Sequence, residues 1–198
     1  MALFENEKII LPLNEGVFEY FPHFISEIEA DLYFNQLIEN TPWQQDSIVL
    51  FGKTHLQPRL TALYGNNGKS YSYSNITMHP NRFTPLLINI KEKIEAVCNE
   101  NFTTVLLNLY RDGNDSNGWH ADNEKELGRN PIIASLSLGE ERVFHIKNNT
   151  KDEKLKLNLE NGSLLLMKEG SQIHYKHQLP KTKTAKKPRI NLTFRTIL

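Results

Sequence analysis

Two stretches of the 198-residue chain repeat apolar residues at helical spacing. The first begins at Ser26-Glu27-Ile28-Glu29, a capping box in which Ser26 accepts from a backbone N–H and Glu29 reaches back, and it runs to about Asn40 before Thr41-Pro42. The second begins at Thr84-Pro85 and runs to about Cys98. The first helix is predicted to pack on a sheet through an apolar stripe of Ile28, Leu32, Phe34, Leu37 and Ile38.

Elsewhere apolar and polar residues alternate with the two-residue period of strands. Residues Met1–Pro22 predict a strand-like arm, and Ser47–Ser74 predicts one or two hairpins. Turns such as Asn161-Gly162 separate seven short strands predicted after Asn101. These are Val105–Tyr110, Ile132–Leu138, Arg142–Lys147, Lys154–Leu159, Ser163–Met167, Ile173–Leu179 and Arg189–Ile197. This pattern predicts a barrel-like double sheet with the two helices against one face.

The last predicted strand places its polar and apolar residues on opposite sides, because side chains alternate along a strand. One side carries Arg189, Asn191, Thr193 and Arg195, and the other carries Ile190, Leu192 and Phe194. Asn108 and Tyr110 share a face of their strand in the same way. Arginines inside a domain must be paired or bound to an anion, so we predict a buried dianionic ligand. A solvated sheet face is the alternative.

Two histidines and one aspartate form a candidate metal site. His120 and Asp122 are separated by one residue and would point to the same side of a strand. In Ile173–Leu179 the same alternation groups His177 with apolar residues and places His174 on the opposite side, so we expect His177 to be the buried one. Two imidazoles and one carboxylate form the face that binds non-haem Fe(II) and leaves positions open. The remaining histidines have no partner at ligand spacing and are interpreted as structural: His23, His55, His79 and His145.

Composition and length indicate an ordinary soluble globular protein of one domain, with 39% hydrophobic and 23% charged residues. The formal net charge of +0 predicts no overall attraction to nucleic acid or to an anionic membrane. The charges are unevenly placed, however, since no acid follows Glu169 while seven basic residues do: Lys176, Lys181, Lys183, Lys186, Lys187, Arg189 and Arg195. This asymmetry can give a neutral protein a basic face that contacts phosphate, but composition alone favours a solvated lysine-rich loop.

Cysteine content and hydropathy bear on the cellular compartment. Cys98 is the only cysteine, so an intramolecular disulfide and a thiolate metal cluster are excluded and a reducing cytoplasm fits. No basic segment followed by an apolar run opens the chain, and no stretch approaches the roughly 20 apolar residues of a membrane helix. We therefore expect a cytoplasmic protein, or a nuclear one in a eukaryote, without a membrane partner.

Taken in order, these residues resemble the AlkB family of Fe(II)/2-oxoglutarate-dependent nucleic-acid dealkylases. The matching motifs are Asn108-x-Tyr110, His120-x-Asp122, His177 and Arg189-x-Asn191-x-Thr193-x-Arg195, and the resemblance covers about Ile48–Leu198. It is closest to the branch that repairs duplex DNA, through Phe51-Gly52-Lys53, Pro58-Arg59, Tyr64-Gly65, Gly162-Ser163-Leu164-Leu165 and Asn191-Leu192-Thr193-Phe194-Arg195.

The resemblance implies a role for each matching residue. It implies that iron is held by His120, Asp122 and His177, with Arg195 also in the catalytic set, and that 2-oxoglutarate is held by Asn108, Tyr110, Arg189, Asn191 and Arg195. Arg189 is favoured for the carboxylate far from the metal. The substrate contacts it implies are Phe51, Arg59, Tyr71, Tyr73, Glu124 and Lys183. Among these, Glu124 would contact the exocyclic amine of the damaged base, Tyr73 would stack on the flipped base, and Phe51 would probe the base stack.

The implied fold is mainly β with flanking helices, a double-stranded β-helix (jelly roll) with N-terminal nucleotide-recognition hairpins. We expect a single dioxygenase domain over residues 1–198, with an N-terminal arm and helix at 1–45, the recognition hairpins at 46–80, and a buttressing helix with the jelly-roll core at 81–198.

The implied function is a monomeric DNA repair dioxygenase that uses Fe(II), 2-oxoglutarate and O2. It would oxidatively demethylate 1-methyladenine and 3-methylcytosine in alkylated DNA, duplex or single-stranded, and release formaldehyde and succinate. The alternatives are an RNA or protein dioxygenase of the same fold, and a non-catalytic nucleic-acid-binding jelly roll, because a fold alone does not determine function.

Overall fold

A computed structural model describes residues 7–50, 53–66, 68, 71–73 and 76–198, and the side chains of all of these except residues 49, 50, 71–73, 76 and 77. Helix α1 is Glu27–Asn40, α2 is Pro85–Cys98, α3 is a single turn at Ser171–His174, and a 3-10 turn spans Lys125–Leu127. Both long helices lie where the sequence predicts them. None of the described helices combines the length and the hydropathy that crossing a membrane requires.

Sixteen strands are present in the described part of the chain. They are β1 Ile9–Ile10, β2 Phe18–Phe21, β3 Ser47–Leu50, β4 Lys53–Leu56, β5 Leu60–Gly65, β6 Tyr71–Tyr73, β7 Ile76–Met78, β8 Asn81–Arg82, β9 Thr104–Tyr110, β10 Asn117–His120, β11 Ile133–Gly139, β12 Arg142–Asn148, β13 Lys154–Leu159, β14 Leu164–Met167, β15 Tyr175–Leu179 and β16 Arg189–Arg195. The mainly β prediction is confirmed.

Twelve of the strands form one large and one small sheet. The large sheet has the order β1-β2-β14-β11-β16-β9-β5-β8, and the small sheet has the order β10-β15-β12-β13. Every pairing in the two sheets is antiparallel except that of β5 with β8. Separate two-stranded sheets, β3-β4 and β6-β7, fall in the segment predicted to form hairpins, whereas β5 joins the large sheet. Of the predicted contacts in this segment, Phe51 and the side chains of Tyr71 and Tyr73 lie outside the described residues.

Two layers of apolar side chains hold the architecture together. One face of the large sheet packs on α1 and α2, and there Ile190, Leu192 and Phe194 of β16 meet Leu87 and Ile90 of α2. The opposite face packs on the small sheet. The alternation predicted for β16 is therefore confirmed, because its apolar side faces the helices and its polar side faces the space between the sheets. That space contains the candidate site.

The predicted stripe of α1 is wrong at its N-terminal end. Ile28 and Leu32 are 85% and 53% exposed, and the buried residues of the helix are Ala30, Tyr33 and Leu37. The helix is turned so that its Glu29–Tyr33 edge meets α2, where the Tyr33 hydroxyl lies 2.9 Å from Asn89 Oδ1. Periodicity could not identify this rotation because it depends on polar contacts with a second helix.

The same contacts explain why only half of the predicted capping box forms. Ser26 Oγ accepts from the Glu29 backbone N–H at 3.3 Å, as predicted. The Glu29 carboxylate instead accepts from Lys93 Nζ at 2.5 Å and from the Tyr33 hydroxyl. It therefore joins α1 to α2 and does not reach back to the start of its own helix.

Two strand predictions also need correction. The first two residues of Ile173–Leu179 belong to the short helix α3, and only Tyr175–Leu179 is a strand. Asn117–His120 forms strand β10 although it was not among the seven predicted strands. It pairs with β15 through Asn117 opposite Leu179 and His120 opposite His177, with an irregularity between them.

The turn at Gly162 gives a test of this architecture. Gly162 has φ +80°, and a Cβ at this position would lie 2.7 Å from the Ile25 carbonyl oxygen. We expect Gly162→Ala to lower the free energy of unfolding by about 1–3 kcal/mol, measured by urea titration. Gly118→Ala is the control, because a Cβ there has nothing within 4 Å. Equal stability of the two variants would contradict the strained turn.

Candidate metal centre

The structure brings His120, Asp122 and His177 together, with one potential ligand atom of each within 4.8 Å of the others. His120 ends β10 directly opposite His177 of β15, and their Nε2 atoms are 3.1 Å apart. Asp122 lies beyond the end of β10, so the interpretation that it shares a strand face with His120 is wrong. Cross-strand pairing unites the histidines, and the loop after β10 brings in the carboxylate. His174 is exposed on α3, as expected.

The surroundings of both imidazoles favour the neutral form, which is the form that binds a metal ion. Burial lowers the pKa of His177 to about 3, with the neighbouring His120 as the next cause, and burial also lowers the pKa of His120. His120 Nδ1 lies 2.8 Å from the Gly118 carbonyl oxygen, so Nδ1 carries the proton and the lone pair is on Nε2. Two nitrogens about 2.1 Å from one ion and at right angles would be about 3 Å apart, as these two are.

Asp122 is held as a carboxylate. It is 1% exposed. Burial raises the pKa of Asp122, but the charge of Arg195 and the nearby histidines outweigh it and the pKa falls to about 2. The Arg195 Nη2 atom lies 2.9 Å from Asp122 Oδ1. The three groups thus supply two neutral imidazoles and one anion.

The backbone of Asp122 is also positioned by a buried side chain that sequence analysis did not identify. Gln172 of α3 is 2% exposed, and its Oε1 accepts from the Asp122 N–H at 2.9 Å. Its Nε2 donates to Ser171 Oγ at 3.1 Å and contacts Met167 Sδ at 3.6 Å. Gln172 lies in a segment predicted to lead into a strand, and its partner is 50 residues away. No local signal in the sequence indicates it.

Replacing Gln172 should therefore weaken metal binding. Partners behind a metal ligand typically contribute about 10–100-fold in affinity. We expect Gln172→Leu to weaken Co(II) binding by this amount, measured by the visible absorption of the bound ion. Gln172→Glu keeps an acceptor for the Asp122 N–H and should retain most of the affinity. If both variants bind Co(II) like the unmodified chain, Gln172 does not position Asp122.

Polar side chains from β9 and β16 line the pocket next to these three residues: Asn108, Tyr110, Arg189, Asn191, Thr193 and Arg195. Asn191 Nδ2 donates to Ser135 Oγ at 2.7 Å, and Thr193 Oγ1 donates to Asn191 Oδ1 at 2.9 Å. The residues predicted to share the two strand faces therefore meet in one wall of the pocket.

Arg189 lies at the other end of this wall from the pair of Arg195 with Asp122. It is 2% exposed, its Nη2 donates to Ser137 Oγ at 2.9 Å, and its Cζ lies 5.4 Å from the Tyr110 ring centre. Burial lowers the pKa of Arg189 to about 10, so it remains charged at neutral pH. Within the described residues its Nε has no hydrogen-bond partner. A buried cation with an unsatisfied donor is suited to an anionic ligand.

Comparison with known proteins places the sequence in one superfamily. The family described as the 2OG-Fe(II) oxygenase superfamily matches residues 17–195. Bovine alpha-ketoglutarate-dependent dioxygenase alkB homolog 3 is 42% identical over 89% of this chain and 64% of its own length. Human DNA oxidative demethylase ALKBH2 is 35% identical over 93% of this chain and 75% of its own length. The chain belongs to the 2OG-Fe(II) oxygenase superfamily, in its AlkB family.

The fold agrees with this membership. The solved structure titled "The structure of OsALKBH1" superposes with a TM-score of 0.63 at 18% identity and covers 95% of this chain and all of that one. The family and the jelly-roll fold are thus confirmed, and the superfamily is one whose description includes 2-oxoglutarate and Fe(II). The chain spans only about 64% of the length of the bovine homolog 3.

The donor set fits the cofactors of the superfamily. Two neutral imidazoles and a carboxylate are the ligands that non-haem Fe(II) takes when coordination positions remain open. The charged Arg189, with its unsatisfied Nε, fits one carboxylate of a dianion. No thiolate is available at the pocket, since the single cysteine, Cys98, lies in the helix-side core.

Three of the predicted substrate contacts of this AlkB-family chain have described side chains, and they lie in three separate parts of the fold. Arg59 is 4% exposed inside the pocket wall, where its Nε donates to Asn108 Oδ1 at 2.8 Å. Glu124 is half-buried at the start of the 3-10 turn and does not line the pocket. Lys183 is exposed in the loop between β15 and β16.

The basic stretch after Glu169 does not form one continuous face. Arg189 and Arg195 point into the pocket, and Lys186 Nζ pairs with Glu140 Oε1 at 2.7 Å. Phosphate contact by the lysines of the loop between β15 and β16 stays a prediction. The exposed basic residues of this stretch are Lys176, Lys181, Lys183 and Lys187.

One further buried arginine was missed by sequence analysis. Arg142 of β12 is 3% exposed and donates to the carbonyls of Asp112 at 3.0 Å, Asp115 at 3.0 Å and Pro180 at 2.7 Å. These carbonyls lie in the loop before β10 and the loop after β15, the strands that carry His120 and His177. Alternation along β12 could have found it, since Arg142 shares a face with Phe144 and Ile146.

Proposed function

We propose that this chain is a DNA repair dioxygenase that oxidatively demethylates 1-methyladenine and 3-methylcytosine, releasing formaldehyde and succinate. The observation that carries the proposal is the convergence of His120, Asp122 and His177 beside a charged, buried Arg189. A module that only binds nucleic acid has no need of buried charges, which cost free energy unless a ligand satisfies them.

Each group of the pocket has a proposed role. His120, Asp122 and His177 hold Fe(II). Arg189, with Tyr110 beside it, binds the carboxylate of 2-oxoglutarate far from the metal, and Arg195 orients Asp122 at the metal end, since the two are already paired. Asn108 and Asn191 supply further hydrogen bonds to 2-oxoglutarate, and Arg59 fixes the Asn108 amide. The iron with 2-oxoglutarate and O2 supplies the oxidising power that hydroxylates an N-methyl group, after which formaldehyde is lost.

The proposed substrate is alkylated DNA, and the name of the human relative, DNA oxidative demethylase ALKBH2, supports it. A base inside a duplex cannot reach the pocket, so it must be flipped, which costs less for a base that cannot pair. Phe51, Tyr71, Tyr73 and Glu124 are the proposed contacts of that base, and Lys183 is a proposed phosphate contact. We propose residues 1–198 as one domain, acting as a monomer in the cytoplasm or in a eukaryotic nucleus.

The deciding experiment compares methylated substrates that differ only in the nucleic acid. Formaldehyde and succinate are measured with 1-methyladenine or 3-methylcytosine in a duplex, in the same strand alone and in an RNA copy, each with and without 2-oxoglutarate. The proposal expects both products in equal amounts from DNA. If only the RNA copy is demethylated, the substrate is RNA and not DNA. If no oligonucleotide stimulates succinate release, a function in nucleic-acid repair is contradicted.

A further inference from the structure

The outer face of the small sheet carries a row of lysines. In β12 and its two neighbours the side chains alternate between a more buried inner face and a more exposed outer face, and Lys147, Lys154 and Lys176 all lie on the outer face. The pairing places Lys147 directly opposite Lys154 on one side and directly opposite Lys176 on the other. Adjacent strands are about 4.8 Å apart, so the three residues form one row about 10 Å long across the sheet.

The outer face of the small sheet presents basic side chains and, among the described residues, no acidic ones. The outward-facing residues of β10, β12, β13 and β15, all within the described part of the chain, include a fourth lysine, Lys156, and no carboxylate. Asp152, in the turn before β13, pairs with Lys154 at 2.6 Å, but both side chains are more than two-thirds exposed. Among the described residues, neither Lys147 nor Lys176 forms an ion pair with a carboxylate.

Such a row is unfavourable for the isolated protein. Like charges directly opposite each other on neighbouring strands destabilise a sheet. The usual remedy is an acid in the opposing position, and the sheet has none there. A row of this kind is stabilised when a polyanion binds across it and releases its counterions.

The row is also connected to the candidate metal centre. Lys147 Nζ lies 4.4 Å from the ring centre of Trp119, which is 39% exposed on the same outer face. Trp119 immediately precedes His120 in β10, and His120 faces the pocket. A strand bound along the row would therefore pass the edge of the sheet that carries the proposed iron ligands. An exposed aromatic ring beside lysines is also what single-stranded nucleic acid uses for stacking.

We propose that Lys147, Lys154 and Lys176, with Trp119 at their edge, form a phosphate-binding surface that holds the nucleic-acid backbone outside the pocket. This proposal rests on the proposed function, because it assigns a place to the same substrate. It adds a contact surface on the face of the small sheet that is turned away from the pocket, distinct from the Lys181–Lys187 loop.

The test compares two triple variants that remove the same charge. The row variant is Lys147→Gln, Lys154→Gln and Lys176→Gln. The control is Lys8→Gln, Lys91→Gln and Lys93→Gln, whose ammonium groups are already paired with Glu19, Glu95 and Glu29. Binding of a labelled unmethylated oligonucleotide is followed by fluorescence anisotropy from low to high salt. Each phosphate contact contributes about 0.7 to 0.9 to the slope of log K against log salt, so the row variant should lose about 2 to 3.

The control should keep the slope of the unmodified chain. The melting temperature of the row variant should stay the same or rise, because a row of like charges is removed. An unchanged slope in the row variant would overturn the proposal. So would a row variant that loses binding to phosphatidylserine vesicles but keeps its oligonucleotide slope, which would assign the surface to lipid.

A second measurement distinguishes failure of this surface from failure of the proposed function. Formaldehyde release at saturating methylated oligonucleotide reports the metal centre, and kcat of the row variant should equal that of the control. A normal kcat with an unchanged slope in the row variant would refute the phosphate-binding surface alone. If the unmodified chain releases no formaldehyde but the row variant has a reduced slope, the demethylase proposal is wrong and the phosphate-binding surface is supported.

Discussion

His177→Ala is expected to abolish formaldehyde release from methylated DNA, while His174→Ala retains it. The two histidines are three residues apart, but His177 is 3% exposed beside His120 and Asp122 and His174 is exposed on α3. Loss of a partner behind a metal ligand already costs about 10–100-fold, so loss of a ligand itself should exceed about 100-fold. Activity is measured as formaldehyde and succinate per enzyme under saturating Fe(II) and 2-oxoglutarate.

The pair of variants separates ligand loss from structural damage. His177→Ala should keep the circular dichroism of the unmodified chain and fail to bind Co(II), whereas His174→Ala should match the unmodified chain in both. Normal turnover by His177→Ala, or a comparable loss in His174→Ala, would show that the metal-ligand assignment is wrong.

Alternation along strands predicted much of the site from the sequence. It placed Asn108, Tyr110, Arg189 and Arg195 on one wall because β9 and β16 are regular antiparallel partners over their whole length, with Asn191 opposite Asn108 and Arg189 opposite Tyr110. Alternation also predicted that His177 is buried and His174 exposed. Both are as predicted, but His174 is exposed on the helix α3 and not on the outer face of a strand.

The same reasoning failed where the backbone leaves the regular geometry. Asp122 reaches the cluster through a loop after β10, and only its spacing from His120 could be read from the sequence. Gln172 was missed because it binds a backbone group that is distant along the chain, and residue type does not reveal such a partner. Arg142 was missed although the alternation along β12 places it with Phe144 and Ile146 on the buried face. The orientation of α1 was missed because Tyr33 and Glu29 bind α2.

Arg189 and Arg142 are both buried beside Tyr110, with their Cζ atoms 5.4 Å and 6.0 Å from its ring centre, yet they differ in how well they are satisfied. Arg142 donates to three backbone carbonyls. Arg189 donates to Ser137 Oγ, and its Nε has no partner within the described residues. The same substitution should therefore change the stability of the protein without cofactors in opposite directions at the two positions.

We expect Arg189→Met to raise the free energy of unfolding of the cofactor-free protein by about 1 kcal/mol or more, because it replaces an unpaired buried charge with an apolar side chain. Arg142→Met should lower it by about 3 kcal/mol, because three carbonyls lose their donor. Urea titration measures both.

The affinity for 2-oxoglutarate should instead fall at Arg189. We expect Arg189→Met to weaken binding roughly 30- to several-thousand-fold, since truncating one partner of a buried charge pair costs about 2–5 kcal/mol. Calorimetry with Mn(II) in place of Fe(II) measures this. If Arg189→Met destabilises the protein as much as Arg142→Met and leaves 2-oxoglutarate binding intact, Arg189 is a structural residue and the dianion binds elsewhere.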